Sequence, residues 1–304
     1  VGDVIERFEA TPCTTDGFEL GECCRWDELR QELCWVDVST GRLFRARASG
    51  ENVQVVHTYE LDAVSAFAPM AVRSEGWIVA SGRSLSQLSE GGLSSELAAI
   101  ERGGTPPFAT NDGSADPWGR FWIGVMDPQE RDGLGHLYRY HPSTGVERVL
   151  SGLTISNGLG WSPDRRTMYY VDSGPGSIYR FRVDQRGEIS DQETFATFDV
   201  AREGTPDGLC VDAEGAIWVA IWGGYHVRRY APSGEELARV NVATAQPSSC
   251  SIGGDSGSTL YVTTATQDMS REALEREPQA GMLFCAEVAV SGLPLDSYDP
   301  LGRA

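Results

Sequence analysis

The sequence predicts an all-β fold: a six-bladed β-propeller with an N-terminal strand closing the last blade. Three observations carry this prediction. Six short strand cores with a central aromatic recur along the chain: LCWV at 33–36, GWIV at 76–79, FWIG at 121–124, MYYV at 168–171, IWVA at 217–220 and LYVT at 260–263. Their aromatics (Trp35, Trp77, Trp122, Tyr169, Trp218, Tyr261) are 42, 45, 47, 49 and 43 residues apart. A period of about 40–50 residues holding several short strands marks propeller blades. Clusters of Pro, Gly, Asp and Ser separate the β-rich runs, as hairpins require. Finally, Glu22, Asn111, Asn157 and Asp207 precede their aromatics by 13, 11, 12 and 11 residues. One phase in radially arranged blades puts all four at one end of a central channel.

The unbroken period predicts a single propeller domain over 1–304. The segment 4–8 is expected to supply the outer strand of the last blade, beside 282–290, because closure removes an exposed sheet edge. Residues 94–101 read as a short helix or a loop. In blade three a turn at 118–120 leads into 121–125, the alternating run HLYRY at 136–140, the turn PSTG at 142–145 and a strand at 146–150. Blade four repeats this with SPD at 162–164 and strands at 168–171 and 177–183. Blade five does so with DAEG at 212–215, strands at 217–221 and 227–230, and PSG at 232–234. The run SREALERE at 270–277 is helix-like and is expected to cap one face near the channel.

Composition narrows the function classes. A net charge of −19 repels nucleic-acid backbones and anionic membranes, so neither is an expected partner. All 25 basic residues are arginine, which excludes lysine Schiff-base and lysine-base chemistry. No run of 18 apolar residues is present, so no membrane span is predicted. The seven cysteines contain no C-x-x-C pair, and the four histidines show no metal-ligand spacing. Cys34, Cys210 and Cys285 read as small buried hydrophobes. The expectation is a cytoplasmic chain with reduced thiols, a monomer or a weak homo-oligomer.

The chemistry is carried by Gly21-Glu22, Asn111-Asp112-Gly113, Ser156-Asn157-Gly158 and Pro206-Asp207-Gly208. Each motif alone is a common turn dipeptide; the shared phase makes them a set. In blades two and six the corresponding positions fall near Ala66 and Cys250. Two carboxylates and two amides make an all-oxygen donor set suited to a hard cation. A glycine after the donor is expected to let the backbone approach a channel occupant. Trp222, just after the blade-five strand, is expected at the channel mouth against substrate or in inter-blade packing. Cys23 and Cys24 read as packed thiols, with acidification by a nearby dication as the alternative. The string GDSGS at 254–258 mimics a serine-protease motif but lacks a histidine partner and reads as a hairpin turn. Residues 127–133 lack calcium-loop spacing and read as a solvated connection.

From about residue 7 to 293 the chain resembles the regucalcin/gluconolactonase family. The resemblance rests on Gly21-Glu22 with Trp26-Asp27 and LCWVD at 33–37, and on NDG at 111–113 with GRFWIG at 119–124. It rests also on SNGLGWSPD at 156–164 with YYVD at 169–172, on PDG at 206–208, and on Ser249-Cys250 with LYVT at 260–263. It implies a divalent cation held by Glu22, Asn157 and Asp207, calcium first, with magnesium, manganese or zinc as alternatives. It implies Asp207 as general base in opening a sugar lactone or related small lactone. Asn111, Asp112, Gln129 and Trp222 are the substrate-contact candidates; animal members carry a glutamate near Gln129. Two departures stand out. Sugar-lactone members usually carry an arginine where this chain has Ala109, and Glu22-Cys23-Cys24 replaces the usual Glu-Gly-Pro. They keep open a non-hydrolytic tailoring enzyme of cyclase or condensing type in natural-product metabolism. A calcium-binding propeller without catalysis is the other alternative.

Overall fold

The computed structural model describes residues 5–72, 76–100 and 108–302. Two short N-terminal strands come first, β1 (Glu6–Glu9) and β2 (Thr11–Pro12). Blade one is β3 (Gly21–Asp27), β4 (Glu32–Asp37), β5 (Arg42–Ser49) and β6 (Asn52–Glu60). Blade two is β7 (Ala66–Pro69), β8 (Trp77–Ser81), β9 (Ser84–Ser89) and β10 (Gly92–Ala99). Blade three is β11 (Ala109–Ala115), β12 (Phe121–Met126), β13 (Gly135–His141) and β14 (Gly145–Leu153). Blade four is β15 (Ser156–Trp161), β16 (Thr167–Asp172), β17 (Ser177–Val183) and β18 (Ile189–Thr197). After helix α1 (Val200–Glu203), blade five is β19 (Thr205–Val211), β20 (Ile217–Trp222), β21 (His226–Tyr230) and β22 (Glu236–Asn241). Blade six is β23 (Pro247–Gly253), β24 (Thr259–Thr264) and β25 (Phe284–Glu287), with helix α2 (Arg271–Arg276) between the last two. The six sheets are antiparallel meanders whose first strands pack side by side around the ring.

All six central aromatics lie in the second strand of their blade and are buried. Tryptophan suits this place because its ring fills the space between blades; Trp35 and Trp77 Nε1 are buried without a hydrogen-bond partner, while Trp122 and Trp218 find an acceptor. In blades three and five that acceptor is an aspartate at the hairpin turn. Trp122 Nε1 donates to Asp116 (2.7 Å) and Trp218 Nε1 to Asp212 (2.9 Å). The same aspartates accept turn amides and an arginine, Arg120 and Arg229 respectively.

Closure of the last blade is real, but the residues differ from expectation. β2 is the outer strand of blade six, antiparallel to β25, with Thr11 opposite Cys285. β1 instead adds a fifth strand to blade five, parallel to β22, with Glu6 opposite Ala238. Val4 lies outside the described residues. The two short strands therefore strap neighbouring blades together. The 94–101 segment is also corrected, because 92–99 forms the edge strand β10. Two register shifts against β9 break its alternation and hide the strand period; Glu101 lies outside the described residues. The helix-like run is α2, capped by Ser270 Oγ accepting from Ala273 N. GDSGS is a turn between β23 and β24, with Gly257 N–H donating to Gly254 O.

Candidate functional site

The four blades with polar motifs share one irregularity. In blade three the first strand takes three steps from Thr110 to Gly113 while its partner takes two, from Val125 to Ile123. The same extra residue falls between Ser156 and Leu159, between Pro206 and Leu209, and between Glu22 and Arg25. A bulge of this kind bends the strand and re-aims a side chain. Asn111, Asn157 and Asp207 sit within the bulges. Glu22 sits at the edge of its own and pairs one step deeper, opposite Val36; its longer side chain makes up the step. Cys23, next along, takes a left-handed φ of 51°. By register the blade-six counterpart is Ser248 rather than Cys250, because the register shift there falls between Pro247 and Ser249. Its hydroxyl is used internally, donating to Gly21 O and lying 3.0 Å from Thr263 Oγ1. Blade two has no such shift in register, and its Ala66 and Phe67 are apolar.

The glycines after the donors serve a different purpose from the one expected. A Cβ on Gly158 would lie 2.5 Å from Leu209 N and 2.7 Å from Asp207 O. One on Gly208 would lie 2.5 Å from Ser249 Oγ. They let neighbouring first strands close on each other, and so draw the donors together, rather than admitting an occupant.

Buried carboxylates hold the loops that lead into these strands. Asp37 accepts from Glu19 N and Leu20 N just before Glu22. Asp172 accepts from Thr154 N and Ile155 N just before Asn157. Ser173 Oγ accepts from Asn157 Nδ2 (3.1 Å) and donates to Pro206 O (2.7 Å), tying blade four to the residue before Asp207. Asn111 Nδ2 donates to Ser156 O (3.0 Å). Below them Arg25, buried, ion-pairs with Asp112 Oδ1 (3.1 Å) and donates to Cys24 O and Gly113 O.

Electrostatically the cluster is short of positive charge. Burial, with the neighbouring Asp112, raises the Glu22 carboxyl to about 8. Burial, with Glu22 and Asp112, holds the Asp207 carboxyl well above the usual range. Burial likewise raises Asp112, opposed by Arg25. Asn157 Oδ1, Asp207 Oδ1 and Asp112 Oδ2 are buried without a hydrogen-bond partner. Unpaired buried oxygens of this sort cost about 1–3 kcal/mol each, and a hard cation is the ligand that satisfies them. The residues therefore fit a divalent ion. Among the described residues no three His, Cys, Asp or Glu side chains form a metal cluster; the expected set has two carboxylates and completes itself with an amide.

The structure thus brings together Glu22, Asn111, Asp112, Asn157 and Asp207. Gln129 is exposed on the turn leaving β12, and Trp222 is half-buried at the end of β20, opposite Thr205. Among the described residues no hydrogen bond joins either to the cluster. Cys23 and Cys24 pack inward, and burial pushes both thiols up, Cys23 to about 12. Sequence reasoning missed Arg25 and Ser173. Arg25 could have been suspected only from its place between Cys24 and Trp26 in a buried strand.

The fold and this oxygen cluster define a class: six-bladed propellers with an acid/amide site at one mouth of the channel. The match to the SMP-30/Gluconolactonase/LRE-like region covers residues 20–266, and the chain belongs to that family. It is 32% identical over 275 residues to a 6-deoxy-6-sulfogluconolactonase of Pseudomonas putida, covering 90% of this chain and 92% of that protein. It is 33% identical over 293 residues to regucalcin of Gallus gallus, covering 92% and 95%. Among solved structures, a calcium-binding regucalcin of Agrobacterium tumefaciens superposes with a TM-score of 0.87 at 27% identity, over 97% of this chain and 99% of that one. A luciferin-regenerating enzyme superposes at 0.84 and 26% identity, over 94% and 97%. No helix among the described residues is long and apolar enough to cross a membrane.

Proposed function

We propose that this chain hydrolyses a lactone at the Glu22/Asn157/Asp207 cluster, with a divalent cation as cofactor. The observation that carries the reading is the pair of buried, unpartnered oxygens, Asn157 Oδ1 and Asp207 Oδ1, beside a crowded Glu22 carboxyl. The all-oxygen set favours calcium, then magnesium or manganese, over zinc. When bound, such an ion polarises a ring carbonyl and offsets the charge of the developing oxyanion. Asp207 takes the proton of the attacking water. Ser173 fixes Asn157 and, through Pro206 O, the residue before Asp207, so it positions the two against each other. Asn111, Asp112, Gln129 and Trp222 are the proposed substrate contacts. The similarity to a sulfogluconolactonase supports the lactone class.

The proposed substrate is less polar than a sugar lactone. Ala109, half-buried at the start of β11, offers no side-chain donor where sugar-lactone members carry arginine. The test is a lactone panel, assayed as purified, after chelation, and after re-addition of calcium, magnesium or manganese. Hydrolysis that falls on chelation and returns with metal is expected, with apolar lactones preferred. Undiminished hydrolysis after complete metal removal overturns the cofactor. Inactivity on every lactone with metal bound overturns the reaction.

A further inference from the structure

Blades five and six meet through their first strands, β19 and β23, which belong to different sheets and share no hydrogen-bond ladder. Side chains alternate along each strand. Leu209 and Val211 pack in the apolar cluster shared with blade four, whereas Cys210 packs in the one shared with blade six. On β23, Cys250 and Ile252 belong to that same cluster, while Ser249 and Ser251 face blade one and accept from Cys24 N and Trp26 N. Cys210 and Cys250 therefore face each other across the boundary, with sulfurs 3.9 Å apart. A second contact fixes the meeting. The Cys250 thiol donates to Trp218 O (3.5 Å), and Trp218 is the ladder partner of Cys210. The strands also run close here, since a Cβ on Gly208, two residues before Cys210, would lie 2.8 Å from Ser248 O. The thiols of Cys23, Cys24 and Cys285 end instead on backbone, donating to Phe67 O, Tyr261 O and Gly50 O.

We propose that Cys210 and Cys250 form a modification site: a peroxide converts the two thiols to a disulfide that clips blade five to blade six. A bond length of about 2.05 Å asks each sulfur to move by about 1 Å, which rotation about the Cα–Cβ bonds supplies. Cys250 is fully buried, whereas Cys210 is partly exposed and lines a half-open cavity of about 70 Å³ beside Arg25 and Leu293. Cys210 is therefore the sulfur that meets the oxidant.

The balance with hydrogen peroxide is simple. The Cys210 thiolate attacks one peroxide oxygen and the O–O bond breaks. The departing oxygen takes up the thiol proton, giving a sulfenic acid and one water. The Cys250 sulfur then attacks the Cys210 sulfur, the S–O bond breaks, and the hydroxyl leaves as a second water with the Cys250 proton. Two thiols lose two electrons and the peroxide gains them. Hydrogen bonding to Cys250 and burial hold the Cys210 thiol well up, with Arg25 opposing, so the first step is slow and excess peroxide drives it. The two cysteines are 40 residues apart, and the link encloses the three outer strands of blade five. Restricting that loop in the unfolded chain stabilises the fold.

The experiment incubates the dilute purified chain with excess hydrogen peroxide or with dithiothreitol, maps peptides under non-reducing conditions, and measures thermal unfolding. The expected result is a Cys210–Cys250 peptide pair two hydrogens lighter than the two reduced peptides, within a single chain, and a Tm raised by about 3–8 °C over the reduced protein. C210S and C250A each remove both the cross-link and the oxidative rise in Tm. If C250A fails to fold, C210S at the partly exposed position carries the same comparison, and the wild-type peptide map decides by itself. Peroxide-treated protein in which Cys210 remains a thiol, stops at a sulfinic acid or joins a different cysteine overturns the proposal, and so does the pair with an unchanged Tm.

Discussion

Asp207 has two tasks in the proposed reaction, holding a cation and accepting a proton from water. Asn157 and Asp207 present their unpartnered oxygens from adjacent blades. Asp207→Asn keeps the shape and removes the base, so turnover should fall by about 10²–10⁴ while calorimetry still detects cation binding, though weaker. Glu22→Gln removes charge without removing the general base. Cation affinity should drop first, and excess cation should restore part of the rate. Full activity of Asp207→Asn with metal bound would exclude the base assignment. Gly158 supplies a purely structural prediction. A methyl there meets backbone of the next blade at 2.5 Å, so Gly158→Ala should cost about 1–3 kcal/mol of stability, read by denaturant unfolding.

At the scale of elements, the bulge is the device that makes a site from a strand. Each blade places the start of its first strand at the same end as the close of its second, and an extra residue there turns a donor inward. The clustered polar residues were legible from sequence because the blade period fixes their phase. The bulges were not, since a single inserted residue leaves no trace in an aromatic spacing that already varies. For the same reason the expected role of the glycines was wrong: inter-blade distance is a tertiary quantity. Blade five carries a further consequence of burial. His226 Nε2 accepts from Arg228 Nε (2.8 Å), and burial with Arg228 and Arg239 lowers the imidazole to about 4. The folded state then binds fewer protons than the unfolded chain, whose histidines titrate near 6.5. Its contribution to stability is present above about 6.5 and lost as pH falls towards 4. Tm should therefore fall more between pH 7.5 and 5 in the wild type than in His226→Gln; equal falls would contradict this.

On the whole-molecule scale, the two ends of the channel differ. After β25 the chain crosses the opposite end, where Gly292 bridges Asp212 and Tyr298 bridges Met70. Asp299 N–H then donates to Gly119 O. This strap borders a half-open cavity of about 70 Å³ lined by Arg25, Trp161, Cys210, Ser251, Leu293 and Asp296. Burial there raises the Asp296 carboxyl to about 7. The folded state holds that proton longer than the unfolded chain does, so ionisation costs stability as pH rises from about 4 through 7. Asp296→Asn cannot ionise and should raise Tm at pH 8 more than at pH 5; an equal effect at both would show that the carboxyl is already solvated.

The sequence by itself determined the number of blades and the all-β class, and it singled out Glu22, Asn111, Asn157 and Asp207 as one polar set at a shared phase. Periodic burial of one aromatic per blade and the phase of polar residues are local properties, written at fixed spacing along the chain. Only the tertiary structure decided which strand closes the ring, why Arg25 lies beneath the donors, and which thiols meet. Those outcomes depend on contacts between residues far apart in sequence, as in the pairing of Thr11 with Cys285 and of Arg25 with Asp112. No periodicity encodes such pairs, because each is settled by how six sheets fit around one axis.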